Sequence, residues 1–244
     1  RVLYKLLKLI FEFNFFESYL EKKEIDLVYF ISPSRYALDL EKINFIFTLW
    51  DLCHRDHPEF PEIKSKGEFE NRELIINYAI KRAISVIVDS EHGKSNLANK
   101  YNIEEKRISV IPFEPLIDIK ENKELPYSPD YIKKKYSIEY KYIFYPAQFW
   151  PHKNHIYILK AIFILEKAYN IKLNIIFSGG DKGNKEKVRK FAKKIGIHDQ
   201  LIFTGFISNK ELISLYKYSI ALVMPTFFGP TNIPPLEAFK IGVP

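Results

Sequence analysis

One cysteine, Cys53, stands in a chain of 244 residues. It cannot close an intramolecular disulfide, so a cystine-stapled scaffold is excluded and a reducing compartment is expected. Its expected role is that of a small buried apolar residue. No apolar run approaches the ~18 residues that a membrane-spanning helix requires. The first residues lack the charged, apolar and cleavage regions of a signal peptide. A glycine-rich first βα turn is also missing, and the chain stops at Gly242-Val243-Pro244, where a buried strand is expected next. These features lead us to expect an internal fragment of a longer protein.

What the chain does have is basic charge and alternating apolar runs. Its 37 Lys and Arg outnumber 30 Asp and Glu, giving a net charge of +7. Such a balance suits nucleic acid, anionic lipid or phosphorylated ligands. The basic runs Lys133-Lys134-Lys135 and Lys193-Lys194 are too short for a nucleic-acid arm, and read as solvated helix faces. Nucleic acid is therefore not an expected partner. Peripheral contact with an anionic membrane, at the inner face of the plasma membrane of a cytoplasmic protein, stays open. Leu3, Leu6, Leu7, Ile10, Phe11 and Phe15 recur at helical spacing, and a helix over Val2–Lys22 is expected. It either packs on a core or lies in a membrane interface.

Strand-length runs alternate with helical periods, which is the signature of βαβ units and parallel sheets. Strands are expected at 26–31, 43–49, 85–89 and 108–111, with helices at 70–82 and 90–101, the latter capped by Ser90. Residues 113–129 lose periodicity and hold Pro115, Pro126 and Pro129, as a connection would. Then come strands at 142–145, 173–178, 201–204 and 220–224, and helices at 154–169, 185–195, 209–218 and 235–239. The expected fold class is α/β: two Rossmann-like, doubly wound domains facing a cleft, both incomplete. Residues 1–115 would form the first domain, 116–135 the connection and 136–244 the second domain.

The richest segment is Pro225-Thr226-Phe227-Phe228-Gly229-Pro230-Thr231-Asn232-Ile233-Pro234-Pro235-Leu236-Glu237-Ala238. A strand, a turn dense in Gly and Pro and a helix start converge free N–H groups and the helix dipole, which is a place for phosphate. Glu237, read as lying in the first helical turn, could accept hydrogen bonds from ribose hydroxyls, or merely favour the dipole. The segment resembles the nucleotide-sugar loop of the family 4 retaining glycosyltransferases, which have the GT-B fold. Their E-x7-E pattern is matched at its second Glu by Glu237. The first has no counterpart: counting gives Gly229, alignment on Phe-Gly gives Thr226.

Other blocks carry the same resemblance. Ala147-Gln148-Phe149-Trp150-Pro151-His152-Lys153-Asn154 is similar to the family's G-R-x4-K-[GN], with Gln148 in the place of Arg and Ala147 in that of Gly. Thr204-Gly205-Phe206-Ile207, followed by Glu211-Leu212 and Leu215-Tyr216, is similar to its F-x-G-x-V-x4-E-L-x-x-L-Y block. Thr48-Leu49-Trp50-Asp51-Leu52 corresponds to T-x-H-D-L, with Trp50 at the His position and His54 one turn later. Val86–Ser90 and Ile108–Pro112 resemble V-S-x-x-S and V-I-P-x-G. The similarity runs from about Asp26 to Pro244.

The resemblance implies a hexosyltransferase that moves a sugar from a nucleoside diphosphate to a saccharide or lipid-linked acceptor, with retention, in cell-surface polysaccharide synthesis. Lys153 and Gln148 would hold the diphosphate. Glu237, Gly229, Thr231, Asn232, Ile233, Gly205, Ile207 and Gly179 would line the donor site, and Asp51 and His54 would face the acceptor. No Asp-x-Asp pair occurs, so no metal and no other cofactor is expected, and Lys153 with helix N-termini would carry the leaving-group charge. Cys53, His54 and His57, or His152 and His155, do not complete a zinc set. A nucleotide-sugar epimerase of the same fold, or a non-catalytic nucleotide-binding subunit, are the alternatives. The fragment by itself is expected to be inactive.

Overall fold

The β-branched and aromatic runs of the first half do pair into one parallel sheet. The computed structural model describes residues 14–115, 127–229 and 231–244. Two compact units emerge, Arg1–Pro112 and Phe113–Pro244. Most of the helix expected over Val2–Lys22 lies outside the described residues, as does the expected connection from 116 to 126.

In the first unit, α1 (Phe15–Lys22) starts where the Asn14 side chain accepts the Glu17 N–H. Strands β1 (Leu27–Phe30), β2 (Asn44–Thr48), β3 (Ser85–Val88) and β4 (Ile108–Val110) lie in the order β1-β2-β3-β4, all parallel. Phe45, Phe47, Val86 and Val88 are fully buried along the central strands. Burying each such side chain is worth roughly 1.5–3 kcal/mol. The short helices α2 (Cys53–Asp56) and α3 (Pro61–Lys64) lead into α4 (Glu68–Arg82), and α5 (Glu91–Tyr101) follows β3. Ser90 caps α5 by accepting the Gly93 N–H at 3.1 Å, as expected.

Two carboxylates pin the loops of this unit. Glu17 accepts the backbone N–H groups of Glu41, Lys42 and Ile43 at 2.7, 2.7 and 3.0 Å, which fixes the entry to β2. Burial alone would raise its pKa, but those donors hold it below the usual value. Glu73 on α4 takes a two-pronged bond from Arg55 at 2.7 and 2.6 Å and a third from the Tyr101 hydroxyl at 2.6 Å. The Arg55 bonds above all depress its pKa to about 2. Helices α2, α4 and α5 are thereby tied together.

The second unit opens with α6 (Pro129–Tyr136), inside the stretch 116–135 expected to be a connection. Ser128 accepts the Tyr131 N–H, Pro129 sits at the first helical position where its missing N–H costs nothing, and Ile132 is buried in the unit's core. Strands β5 (Tyr142–Pro146), β6 (Asn174–Ser178) and β7 (Leu201–Gly205) form a parallel sheet in that order, with α7 (His155–Tyr169), α8 (Lys185–Ile195), α9 (Asn209–Lys217) and α10 (Ile233–Ile241) around it. The strand expected over 220–224 narrows to one bridge, Leu222 against Phe144. Pro225 follows at once, and with no N–H and a restricted predecessor it stops the ladder.

The second core contains an unusual member. His155 is fully buried, stacked on Phe149 with centroids 4.5 Å apart and flanked by Tyr145 and Phe177. Among the described residues, neither ring nitrogen has a hydrogen-bond partner. Burial pushes its pKa down to about 4. A folded value below the unfolded one means that stability is intact above about pH 6.5 and is lost as pH falls toward 4. His155→Phe should remove that loss, about 3 kcal/mol at pH 4. Hydrogen exchange at the β6 amides, corrected for intrinsic rates, checks this: equal pH slopes in the two proteins would contradict it.

Candidate functional site

In the parallel sheet of the second unit the carboxyl ends of β5, β6 and β7 share one edge, where ligands of such sheets bind. The turn after β5 runs Ala147 to Asn154. Phe149 N–H donates to the Gly180 carbonyl at 3.0 Å and Phe149 bridges Asp181, so the turns after β5 and β6 are zipped together. Gly179 makes this possible. At φ +146° an added Cβ would lie 2.6 Å from the Ala147 oxygen and 2.9 Å from the Gln148 nitrogen. Gly205, at φ +71°, ends β7, and its carbonyl collects the Gly179 N–H at 3.0 Å and the Ser178 and Thr204 hydroxyls at 3.2 Å each.

Lys153 closes a single 3-10 turn, Pro151–Lys153, and its carbonyl accepts the Tyr145 hydroxyl at 3.0 Å. Asn154 holds the N-cap position of α7 in the left-handed conformation. Its side chain does not cap the helix; it donates to the Pro225 carbonyl at 3.2 Å. Gln148 is exposed, and its side-chain oxygen accepts the Trp150 indole N–H at 3.0 Å.

The loop of Gly229 folds back against this turn. Phe227 N–H donates to the His152 carbonyl at 2.9 Å, and the His152 and Phe228 rings stack 4.0 Å apart. Thr226 bonds to the carbonyls of Phe228 and His152. Gly229 sits at φ +145°, and an added Cβ would meet Asn232 Oδ1 at 2.6 Å, while the Asn232 amide donates to the Gly229 carbonyl at 3.0 Å. Thr231 is half-buried beside it. Lys153, Gly229, Thr231 and Asn232 thus belong to turns the structure holds in contact. Ile207 lies past Gly205 and packs on the core.

Glu237 requires a correction. Helix α10 begins at Ile233, before both prolines, so Glu237 is its fifth residue and not in the first turn. The first helical N–H groups have no intrahelical partner, so Pro234 and Pro235 are accommodated at the second and third helical positions. Its Oε2 accepts the hydroxyl of the fully buried Tyr216 at 2.7 Å. Burial raises the Glu237 pKa despite that bond.

In the first unit, Asp51 Oδ1 accepts the Cys53 N–H at 3.0 Å and faces Arg72 at 3.4 Å. His54 is fully buried, its Nε2 is 2.7 Å from Glu73 Oε1, and Phe69 packs edge-on at 5.5 Å. One helical turn beyond Trp50, the chain has entered α2, whose inner side carries His54 into the core; the expected acceptor contact gives way to a structural role. Trp50, by contrast, is 47% exposed.

Sequence reasoning passed over four side chains here. Tyr216 pairs with Glu237 across 21 positions. Lys182 lies 5.4 Å over the Trp150 ring, beside Gln148. Phe206 is 83% exposed against Gly180. Arg72 sits between Asp51 and Glu68. Phe206 had a local signal, an aromatic directly after a strand-ending glycine, and Tyr216 stood in the Thr204–Tyr216 block that carries the resemblance.

The family described as glycosyl transferases group 1 matches residues 130–244. The O-antigen chain mannosyltransferase RfbU of Salmonella typhimurium is 28% identical over 171 residues, covering 70% of this chain and 44% of its own length. The serotype-specific mannosyltransferase WbdA of Escherichia coli is 25% identical over 233 residues, covering 89% and 28%. The chain therefore spans less than half of either relative. Among solved structures, the glycosyltransferase WaaG, involved in lipopolysaccharide biosynthesis, superposes with TM-score 0.74 at 16% identity over 94% of this chain and 61% of that one. Anabaena HepE in complex with UDP and glucose gives 0.72 at 16% identity over 93% and 60%. The fold is that of the GT-B glycosyltransferases, built here from two parallel α/β units.

Two substitutions probe this edge. Gly179→Ala should cost about 2 kcal/mol or more, since it combines strain at positive φ with a backbone clash; an unchanged thermal midpoint would refute the close approach. Tyr216→Phe removes the donor that favours ionised Glu237, so a carboxyl titration followed by carbon NMR should move to higher pH.

Proposed function

We propose that this chain, whose residues 130–244 form a glycosyl transferases group 1 domain, belongs to an enzyme that moves a sugar from a nucleoside diphosphate donor to a saccharide or lipid-linked acceptor in cell-surface polysaccharide synthesis. The observation that carries this reading is the junction of the Lys153 turn with the Gly229 loop through Phe227, Asn154 and the His152–Phe228 stack. That junction brings the turn that carries Lys153, a glycine-lined backbone and the start of α10 together at the carboxyl edge of one sheet. Mannosyltransferases that assemble O-antigen chains are among the chain's relatives, which supports a polysaccharide product.

In this reading the diphosphate is the leaving group. The sugar–phosphate bond breaks ahead of bond formation to the acceptor hydroxyl, with retention at the anomeric carbon. Charge growing on the diphosphate is met by Lys153, by backbone N–H groups near Gly229 and at the start of α10, and by the Gln148 amide as a neutral donor. Lys182, close to Trp150, supplies a second cation where Gln148 brings none. No step calls on a metal or an added cofactor. Glu237, oriented by Tyr216, accepts the ribose hydroxyls, and the Phe206 ring offers its face to the base.

Titration of this chain with UDP and GDP, followed by incubation of the full-length protein with labelled nucleotide sugars and acceptors, tests the proposal. Sugar transfer or slow donor hydrolysis is expected. Isomerisation of the sugar, or binding without turnover in the whole enzyme, would overturn it. Lys153→Ala should weaken diphosphate binding at least tenfold, or about 1.4 kcal/mol; an unaltered affinity would remove Lys153 from the site.

A further inference from the structure

The turn that leaves β5 carries Gln148 and Lys153, the two side chains that the resemblance assigns to the diphosphate, and Trp150 lies between them, bonded to both. Its backbone N–H donates to the Gln148 carbonyl at 2.8 Å, and its own carbonyl accepts the Lys153 N–H at 3.1 Å. Its indole N–H donates to Gln148 Oε1 at 3.0 Å.

The indole bond decides how the Gln148 amide is presented. An indole N–H donates and never accepts, so the amide turns its oxygen toward Trp150. The other end of the amide, with both of its N–H donors, is left without a partner among the described residues. A free surface glutamine spreads over many rotamers, and ordering it on binding costs conformational entropy. Held by its oxygen, the Gln148 amide is ordered in advance and its donors are still available. An anion suits such a group, because it accepts both N–H bonds and makes no demand on the oxygen that Trp150 occupies.

The Trp150 ring has a second use. Lys182, on the turn after β6, holds its ammonium 5.4 Å from the ring centroid. The two turns are already zipped by the backbone bond from Phe149 to Gly180. Gln148 and Lys182 are both exposed, so neither contact belongs to the core, and each contributes little to folding. Their consequence is the placement of two donors and one charge around a single indole. An arginine combines a charge with a planar fork of donors. Here the two are divided, with the donors on Gln148 and the charge on Lys182.

We propose that Trp150 is a positioning residue of the diphosphate site: its indole N–H aims the Gln148 amide donors and its ring holds the Lys182 ammonium, so that amide and ammonium together stand in for the arginine this chain lacks. The identity of the anion rests on the glycosyl-transfer reading; the ordering of Gln148 and Lys182 by Trp150 does not.

Binding of UDP, GDP and inorganic pyrophosphate by the full-length protein tests the proposal. Trp150→Phe keeps a ring for Lys182 and removes the indole N–H. It should weaken pyrophosphate and the preferred nucleotide about fivefold, with the thermal midpoint unchanged. Gln148→Ala should cause the same loss, and the double variant no more than either change alone, because the indole acts through the amide. In a Gln148→Arg background the Trp150→Phe change should cost nothing, since a guanidinium has no acceptor for the indole to hold. Lys182→Gln should weaken binding and flatten its dependence on salt, whereas Trp150→Phe should leave that dependence as it was. Wild-type affinity in Trp150→Phe, or losses that add in the double variant, would overturn the inference and leave the donor site standing. A wild-type protein that binds neither nucleotide nor pyrophosphate would overturn both.

Discussion

The close passage of Gly179 beneath Ala147 and Gln148 is the contact on which the donor edge depends. Because Gly179 has no Cβ, the end of β6 can lie directly under the turn that leaves β5. Phe149 then reaches the Gly180 carbonyl, the short turn ending at Lys153 is set, and His152 presents its carbonyl and ring to the Gly229 loop. Each contact uses backbone polar groups that a parallel sheet leaves unpaired at its carboxyl edge, so the site is also the place where the sheet completes its hydrogen bonding.

A second regularity is the use of buried or half-buried carboxylates as fasteners. Glu17 gathers three backbone donors, Glu73 gathers Arg55, His54 and Tyr101, and Glu211 gathers Lys135, Tyr136 and Ser208. For Glu211 burial acts to raise the pKa, yet those partners hold it at about 2. In each case a loop or a short helix that has little apolar surface of its own is secured by charge-assisted bonds.

Much of this architecture was legible in the sequence because it rests on local signals. Apolar runs bounded by turn residues marked β1 to β7, and Ser90 marked the start of α5. The spacing of the Lys153 turn and the Gly229 loop marked the donor edge. What escaped depends on partners distant along the chain. Nothing near Glu237 announces Tyr216, and nothing near His54 announces Glu73, whose carboxylate draws it inward. Helix α6 was hidden because prolines at 115, 126 and 129 suggest a connection, whereas Pro129 in fact starts a helix whose Ile132 is buried. Arg72 carries no local signal, because only the fold sets it between two acids.

Cys53 carries a practical consequence. It is buried against Asp51 and Arg72, and burial, reinforced by the Asp51 charge, drives its thiol far above the ordinary range. A thiol that stays protonated is a poor nucleophile. Alkylating agents and mild oxidants should pass it by in the folded protein, so a cysteine engineered at an exposed position would be the only one to label. Fluorophores or spin probes could then be attached one at a time to either unit without first removing the native sulfur.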